Sequence, residues 1–486
     1  MFGDFLVDFK LFLQRLSLVG FANVLIGLSS IILLPILVKH ISIIDYGVYV
    51  QIYVTTNLVP TFATLGLSYA MVRYLSTIKD KKELQEGFYS ITLLTAAVSL
   101  IVSLIFFIFS TQISIIFNND IYVTKVVSII IFVSCLNYLI MNYFRAIQKI
   151  KKYSLFLLGS SYIKFIIIAY LAVSNYGILG ITIGYLLGEL LLFFIMFTFI
   201  LIDIGFAIPK FKNIKEYISL SYPTIPGNLS RWILNSSDRF IIGIFLGSAA
   251  VGYYSPSYTL GNVIFMISSP FTYMLLSELP QHFDKNRIDD VKSYINKSIK
   301  YFLLLAIPSF FGLSLLSKSI LILLTTKEVA LNGYYITPFV ALSFLLYGFY
   351  GIIYNIFLLE KKTKIPAVVF LISAPLNIIL NIILVPIIGI IGAAITTLIG
   401  YSLITFLTVH YSLIYLKYDF NIKFIYKSLI SSVIMSLVLI YFPVNGVLSL
   451  ISVIGISILV YLISLYLLKG IDKKEINFIK NLMRNI

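Results

Sequence analysis

The sequence predicts an all-α polytopic membrane protein, and three observations carry that prediction. The composition is 60% hydrophobic and 12% charged, where a soluble globular domain is nearer about 25% charged. Apolar runs long enough to cross about 30 Å of hydrocarbon recur from one end of the 486 residues to the other. The basic residues fall in alternate connections between those runs, the asymmetry that orients helices in a bilayer. A transmembrane β-barrel is excluded, because barrel strands are short and alternate in polarity.

About fourteen spans are expected, at 15–38, 47–72, 88–110, 121–144, 154–173, 178–202, 224–247, 252–279, 300–322, 333–358, 366–385, 388–415, 424–442 and 447–468. The leading stretch "MFGDFLVDFKLFLQR" contains acids and reads as an interfacial segment over 1–14, not as a cleaved signal peptide. One set of connections carries Arg73, Lys79, Lys81 and Lys82, then Arg145, Lys149, Lys151 and Lys152, then Lys210, Lys212 and Lys215, and continues so to a lysine-rich tail. The alternate set carries Lys39, Lys125, Lys318 and Lys327, and "SNYG" at 174–177 has no basic residue. Both termini are therefore expected in the cytoplasm (N-in/C-in), which an even number of spans satisfies. Most of the net charge of +16 is topology, so nucleic acid is not expected as a partner.

Chemistry-bearing motifs are sparse. Cys135 is the single cysteine, and His40, His282 and His410 are scattered. No thiolate metal site, Gly-rich phosphate loop or Ser-His-Asp grouping is visible, so no catalytic residue, metal or cofactor is expected. The segment "KFKNIKEYISLSY" at 210–222 is weakly amphipathic and reads as an interfacial linker helix.

The chain also repeats itself. "DYGVYVQIYVTTNLV" at 45–59 matches "AVGYYSPSYTLGNVI" at 250–264, with Gly47 on Gly252 and Tyr49 on Tyr254, 205 residues apart. "NYGILGITIGYLLGELL" at 175–191 matches "IIGIIGAAITTLIGYSL" at 387–403, with Gly177 on Gly389 and Gly180 on Gly392, 212 residues apart. The basic loop "QKIKK" at 148–152 falls on "EKKTK" at 360–364. Two matches at nearly one offset indicate a duplication of six spans. Six crossings return the chain to its starting side, so the repeats are parallel. The expected organisation is an N-lobe over 15–202, a cytoplasmic amphipathic linker over 203–223, a C-lobe over 224–416, and two further spans with a basic cytoplasmic tail over 417–486.

Two six-span lobes, a basic linker and two extra helices resemble the multidrug/oligosaccharidyl-lipid/polysaccharide (MOP) exporter superfamily. "DRFIIGIFLGSAAVGYYSPSYTL" at 238–260 is similar to the seventh-to-eighth-helix signature of its polysaccharide branch, the Wzx-type O-antigen and capsule flippases. "YGILGITIGY" at 176–185 resembles that branch's sixth-helix entry. The resemblance implies transport of an undecaprenyl-diphosphate-linked oligosaccharide to the outer leaflet of the bacterial inner membrane. It also implies polymerase and glycosyltransferase partners from the same pathway. The related lipid II flippases typically carry several arginines in their first two spans, and spans one and two here lack a mid-membrane arginine.

Charges inside the spans are the candidate functional residues. On span seven, Thr224, Asn228, Arg231, Asn235, Asp238 and Arg239 share an arc of about 100° at helical pitch. Such a stripe faces a wet cavity or forms a structural ion pair. Two arginines against one aspartate leave a positive excess, suited to a diphosphate that Arg can clasp with two hydrogen bonds. Arg239 is also placed to snorkel to the outer end, which makes Arg231 the preferred contact. Asn228, Asn235 and Asn23, the repeat equivalent of Asn228, complete the candidate cavity set. Lys164 in span five and Glu189 in span six lie at similar depth either side of the turn at 175–176, so a hairpin pairs them, either structurally or for coupling. Proton or sodium coupling needs a titratable intramembrane acid, and Asp238 and Glu189 are the candidates. Asn57, Asn262 and Tyr347, Tyr350 and Tyr354 are softer signals, with packing favoured for the tyrosines.

The reading is a lipid-linked oligosaccharide flippase, not an enzyme, working by alternating access through a cationic cavity between the lobes. Two rivals stand beside it. One is a cation-coupled MATE-like exporter of drugs or metabolites, which would favour an acidic cavity. The other is a membrane glycan polymerase or ligase, which would favour large outer loops.

Overall fold

The computed structural model describes residues 2–117 and 119–470. The side chains of the interfacial segment and the basic tail beyond residue 470 lie outside the described residues. The fold is all-helical, with no strand among the described residues. The first half comprises α1 (Phe2–His40), α2 (Ile43–Ala63), α3 (Leu67–Leu75), α4 (Lys81–Ile108), α5 (Ser110–Ile116), α6 (Ile121–Ala146), α7 (Ile150–Val173), α8 (Gly177–Ile204) and α9 (Ile214–Ser221). The second comprises α10 (Ile225–Leu246), α11 (Ser248–Phe283), α12 (Ile288–Leu324), α13 (Lys327–Gly333), α14 (Thr337–Leu359), α15 (Lys364–Ile388), α16 (Ile390–Tyr415), α17 (Ile422–Tyr441) and α18 (Val447–Leu467).

Twelve helical stretches among the described residues are long and apolar enough to cross a membrane. The other two expected spans are polar for identifiable reasons. In span two, Asp45, Gln51 and Asn57 dilute α2, and the helix stops at Ala63. There Thr64 Oγ1 donates back to Pro60 O at 2.7 Å, and Leu65 and Gly66 turn left-handed before α3 begins. Span seven is α10, which carries Arg231, Asp238 and Arg239. The starts of α2, α4 and α6 carry the polar residue that a free N-terminus needs. Ser42 accepts from Asp45 N, Asp80 from Glu83 N and Asp120 from Tyr122 N.

Contacts group the chain into two compact units, one of 1–256 with 367–400 and one of 257–366 with 401–486. In the first, α7 packs on α1 and α8, α6 packs on α4 and α8, and α2 packs on α6 and α10. In the second, α12 packs on α14 and α17, and α17 on α18. Lipid tails are as apolar as leucine, so helices associate here through close packing and hydrogen bonds, not through water exclusion. The sequence is arranged accordingly. Ser428, Ser431, Ser432 and Ser436 on α17 are buried, while Ile430, Val433, Leu437 and Ile440 of the same helix are exposed. Tyr461 of α18 ties that small-residue face together, donating to Leu304 O of α12 at 2.9 Å and lying 2.9 Å from Ser428 Oγ.

The repeat has a structural counterpart. Gly177 and Gly389 both turn left-handed where α8 and α16 begin, with φ of +66° and +69°, a conformation that costs a non-glycine residue about 1 kcal/mol or more. The linker is fastened at several points. Glu86 accepts from the backbone of Lys210 at 2.8 and 2.9 Å and from Lys212 N at 3.3 Å. Tyr74 donates to Glu216 at 2.8 Å, and Lys149 pairs with Asp203 at 2.6 Å.

Candidate functional site

The polar arc of α10 divides into two environments. Asn228, Arg231 and Asn235 open onto a cavity of about 300 Å³, which Asn57 and Thr61 of α2 and Tyr138 of α6 also line. The Arg231 side chain is exposed to it, and the guanidinium carbon lies 5.5 Å from the ring centre of Phe370 on α15. An aromatic face at that distance attracts a cation and leaves its hydrogen-bond donors available. Among the described residues, no carboxylate pairs with Arg231. Asn235 Nδ2 donates to Arg231 O at 2.9 Å and Asn57 Nδ2 to Tyr53 O at 2.7 Å, so each amide is held against its own helix.

One turn further, the charges face protein. Asp238 is 2% and Arg239 8% exposed, so both are removed from solvent. Arg239 Nη1 lies 3.1 Å from Asp238 Oδ1 and donates to Asn235 O at 2.7 Å. Asp238 Oδ1 also accepts from Arg239 N at 2.9 Å, and Oδ2 accepts from Tyr254 OH of α11 at 2.5 Å. Every oxygen of that carboxylate is occupied, which a buried ion pair requires. Arg239 is not among the residues lining the Arg231 cavity, and its guanidinium lies inward at 5.9 Å from the Tyr254 ring. Snorkelling does not occur, because Asp238 and Tyr254 supply its partner inside the protein.

Lys164 and Glu189 meet across the α7–α8 hairpin, with Nζ 2.8 Å from Oε1. Asn137 of α6 donates to Glu189 Oε2 at 2.6 Å and to Glu189 O at 2.8 Å. The Lys164 ammonium sits 4.8 Å from the Tyr185 ring centre, and Tyr185 OH is 3.0 Å from Thr56 Oγ1. Gly188 allows the close approach: a Cβ there would come 2.7 Å from Lys164 Cγ. Thr56 is next to Asn57, so one turn of α2 touches both the Lys164 cluster and the Arg231 cavity.

Asn23 lies exposed on α1 and does not line the Arg231 cavity. Tyr347 and Tyr350 stack with centres 5.4 Å apart and planes at 8°, and Tyr354 continues the series at 5.8 Å. Tyr401 stacks on Tyr347 at 4.6 Å, so these rings pack on one another. Sequence reasoning missed Asn137, Tyr138, Trp232 and Tyr254. Asn137, Tyr138 and Tyr254 sit beside the site because of neighbouring helices, whereas Trp232 follows Arg231 on α10 itself. Of the four, Tyr254 carried a signal, as a marker of the repeat.

Long apolar helices surrounding two ion pairs and a cavity lined by Arg231 define an all-α polytopic membrane protein. The chain belongs to the polysaccharide biosynthesis protein family, whose model matches residues 36–328. It is 29% identical over 257 residues to the probable low-salt glycan biosynthesis flippase Agl15 of Haloferax volcanii, covering 52% of this chain and 54% of that protein. The match thus spans about half the length of that relative. Among solved structures, the lipid II flippase MurJ in an inward closed conformation superposes with a TM-score of 0.76 at 23% identity, covering 92% of this chain and 98% of that one. An inward-facing multidrug resistance MATE family transporter of the MOP superfamily superposes with a TM-score of 0.63 at 13% identity, covering 81% and 97%. The fold is the one these transporters share.

Proposed function

We propose that the protein is a flippase for a lipid-linked oligosaccharide, with Arg231 receiving the anionic diphosphate–sugar head. The carrying observation is the contrast along α10. Arg239 is neutralised by Asp238, while Arg231 has no carboxylate partner among the described residues and opens onto a polar cavity. An unpaired guanidinium beside amides and an aromatic ring suits a phosphate with an attached sugar. The lipid is an undecaprenyl diphosphate of a bacterial inner membrane, and its tail stays in the bilayer while the head crosses. Fourteen spans with both termini inside, organised as two six-span lobes, carry the head outward by alternating access. The glycosyltransferases that build the glycan and the polymerase that extends it act on either side of this step. An inside-negative potential favours outward movement of the anion by about 2.3 kcal/mol per charge per 100 mV.

The fold similarity to the MATE transporter favours a second reading, a cation-coupled exporter of drugs or metabolites. The charge balance weighs against it, because the charged side chain that lines the cavity is the cation Arg231, with no carboxylate among the lining residues. Expression in cells lacking their own O-antigen flippase separates the two. Restored surface glycan supports the first reading. Unchanged glycan with raised drug tolerance supports the second.

A further inference from the structure

The Lys164–Glu189 cluster can do more than neutralise itself. Glu189 is buried, with 6% of its side chain exposed, whereas 20% of the Lys164 side chain is exposed. The ammonium is therefore the more accessible partner of the pair. Gly188 and the Tyr185 ring hold the lysine stem against α8 beside Thr56, whose neighbour Asn57 lines the Arg231 cavity.

The groups facing Glu189 are few. α7 supplies Lys164, α6 supplies Asn137 and the buried thiol of Cys135, and α8 itself supplies Tyr185. α2 brings Tyr49 and Tyr53 towards Lys164 and Tyr185. α4 meets α8 at its far end, where Tyr89 donates to Gly205 O. Among the described residues Lys164 is thus the one cation paired with Glu189. If it leaves, an ionised carboxylate is buried without compensation, a state that proteins avoid by protonation.

We infer that Lys164 is a second anchoring cation for the anionic head, and that Glu189 binds one proton each time a substrate phosphate takes Lys164 from it. This rests on the Arg231 reading, because it requires an anionic substrate. The proton comes from cavity water and adds to Oε1, the oxygen that Lys164 vacates. Oε2 keeps its bond from Asn137 in both states, since the carbonyl oxygen of a neutral acid also accepts. On release of the head the proton leaves Oε1 and the ammonium returns. The loaded site then carries one negative charge fewer, and the voltage dependence of export falls by one elementary charge.

The test uses the full-length protein in lipid nanodiscs, titrated calorimetrically with farnesyl diphosphate in two buffers of different ionisation enthalpy at one pH. The buffer dependence gives the protons taken up per diphosphate bound. The expected result is about one proton more for wild type than for Glu189→Gln, which binds the probe at least as tightly because Lys164 no longer has a competitor. A merely structural pair would instead weaken binding in that variant. Lys164→Met combined with Glu189→Gln removes both charges and strands neither. It is expected to stay folded and bind about tenfold more weakly. Equal proton uptake by wild type and Glu189→Gln, or undiminished binding by the double variant, overturns the inference and leaves the Arg231 reading standing. Wild-type protein that does not bind the diphosphate overturns the Arg231 reading, and this inference with it.

Discussion

Gly47 of α2 and Gly252 of α11 lie against one another through a self-complementary contact. A Cβ on Gly252 would come 2.5 Å from Ile43 O, and one on Gly47 would collide with Ser248 O. Ile43 and Ser248 are themselves 205 residues apart, the offset that relates the two glycines. Residue i of one repeat thus touches residue j of the other, and the reverse, as in a two-fold interface. The duplication read from the sequence is also a packing device, because both helices need a missing side chain at the same repeat position.

Alanine at either glycine is expected to cost about 1–3 kcal/mol, since backbone atoms must move apart. Gly312 has open space around its Cα, so Gly312→Ala is expected to stay within about 0.5 kcal/mol of wild type. Thermal unfolding in one detergent checks all three. Equal Tm values would remove the close-contact argument.

Asp238 is expected to matter through Arg239. Asp238→Ala leaves a buried guanidinium without its carboxylate and is expected to destabilise by about 3–5 kcal/mol. Tyr254→Phe removes one hydrogen bond to that carboxylate and is expected to cost about 1–3 kcal/mol. Their order is read from folded membrane-inserted protein by fluorescence-detected size exclusion. Tyr254→Phe being the more damaging would contradict the geometry.

The linker's attachment through Glu86 gives a local prediction. Glu86→Ala removes the acceptor for Lys210 N and Lys212 N, so amides of that segment are expected to exchange hydrogen at least about tenfold faster, equivalent to about 1.4 kcal/mol of local stability. Amides in the interior of α6 serve as the unaffected reference. Unchanged exchange at 210–212 would show that the bonds contribute nothing.

Much of the fold was legible because the membrane constrains sequence strongly. Apolar length located the helices, and the depth of Lys164 and Glu189 from the 175–176 turn placed them at one level, where they meet. The break in span two was not legible, since Pro60 and Thr64 act only once the helix exists to be capped back on itself. The site was legible along one helix and illegible across helices. An arc of about 100° grouped Arg231 with Arg239, but helical pitch does not say which edge meets Tyr254 and which meets open space. That division decides which arginine is paired.

The most direct measurement concerns Arg231. Surface glycan is quantified in cells lacking their own flippase, at matched protein abundance, for wild type, Arg231→Lys and Arg231→Ala. The expected result is export reduced about tenfold or more in Arg231→Ala, with Arg231→Lys retaining part of it, because lysine keeps the charge and loses the two-pronged hydrogen bond. Full export by Arg231→Ala would contradict the assignment of Arg231 to the anionic head.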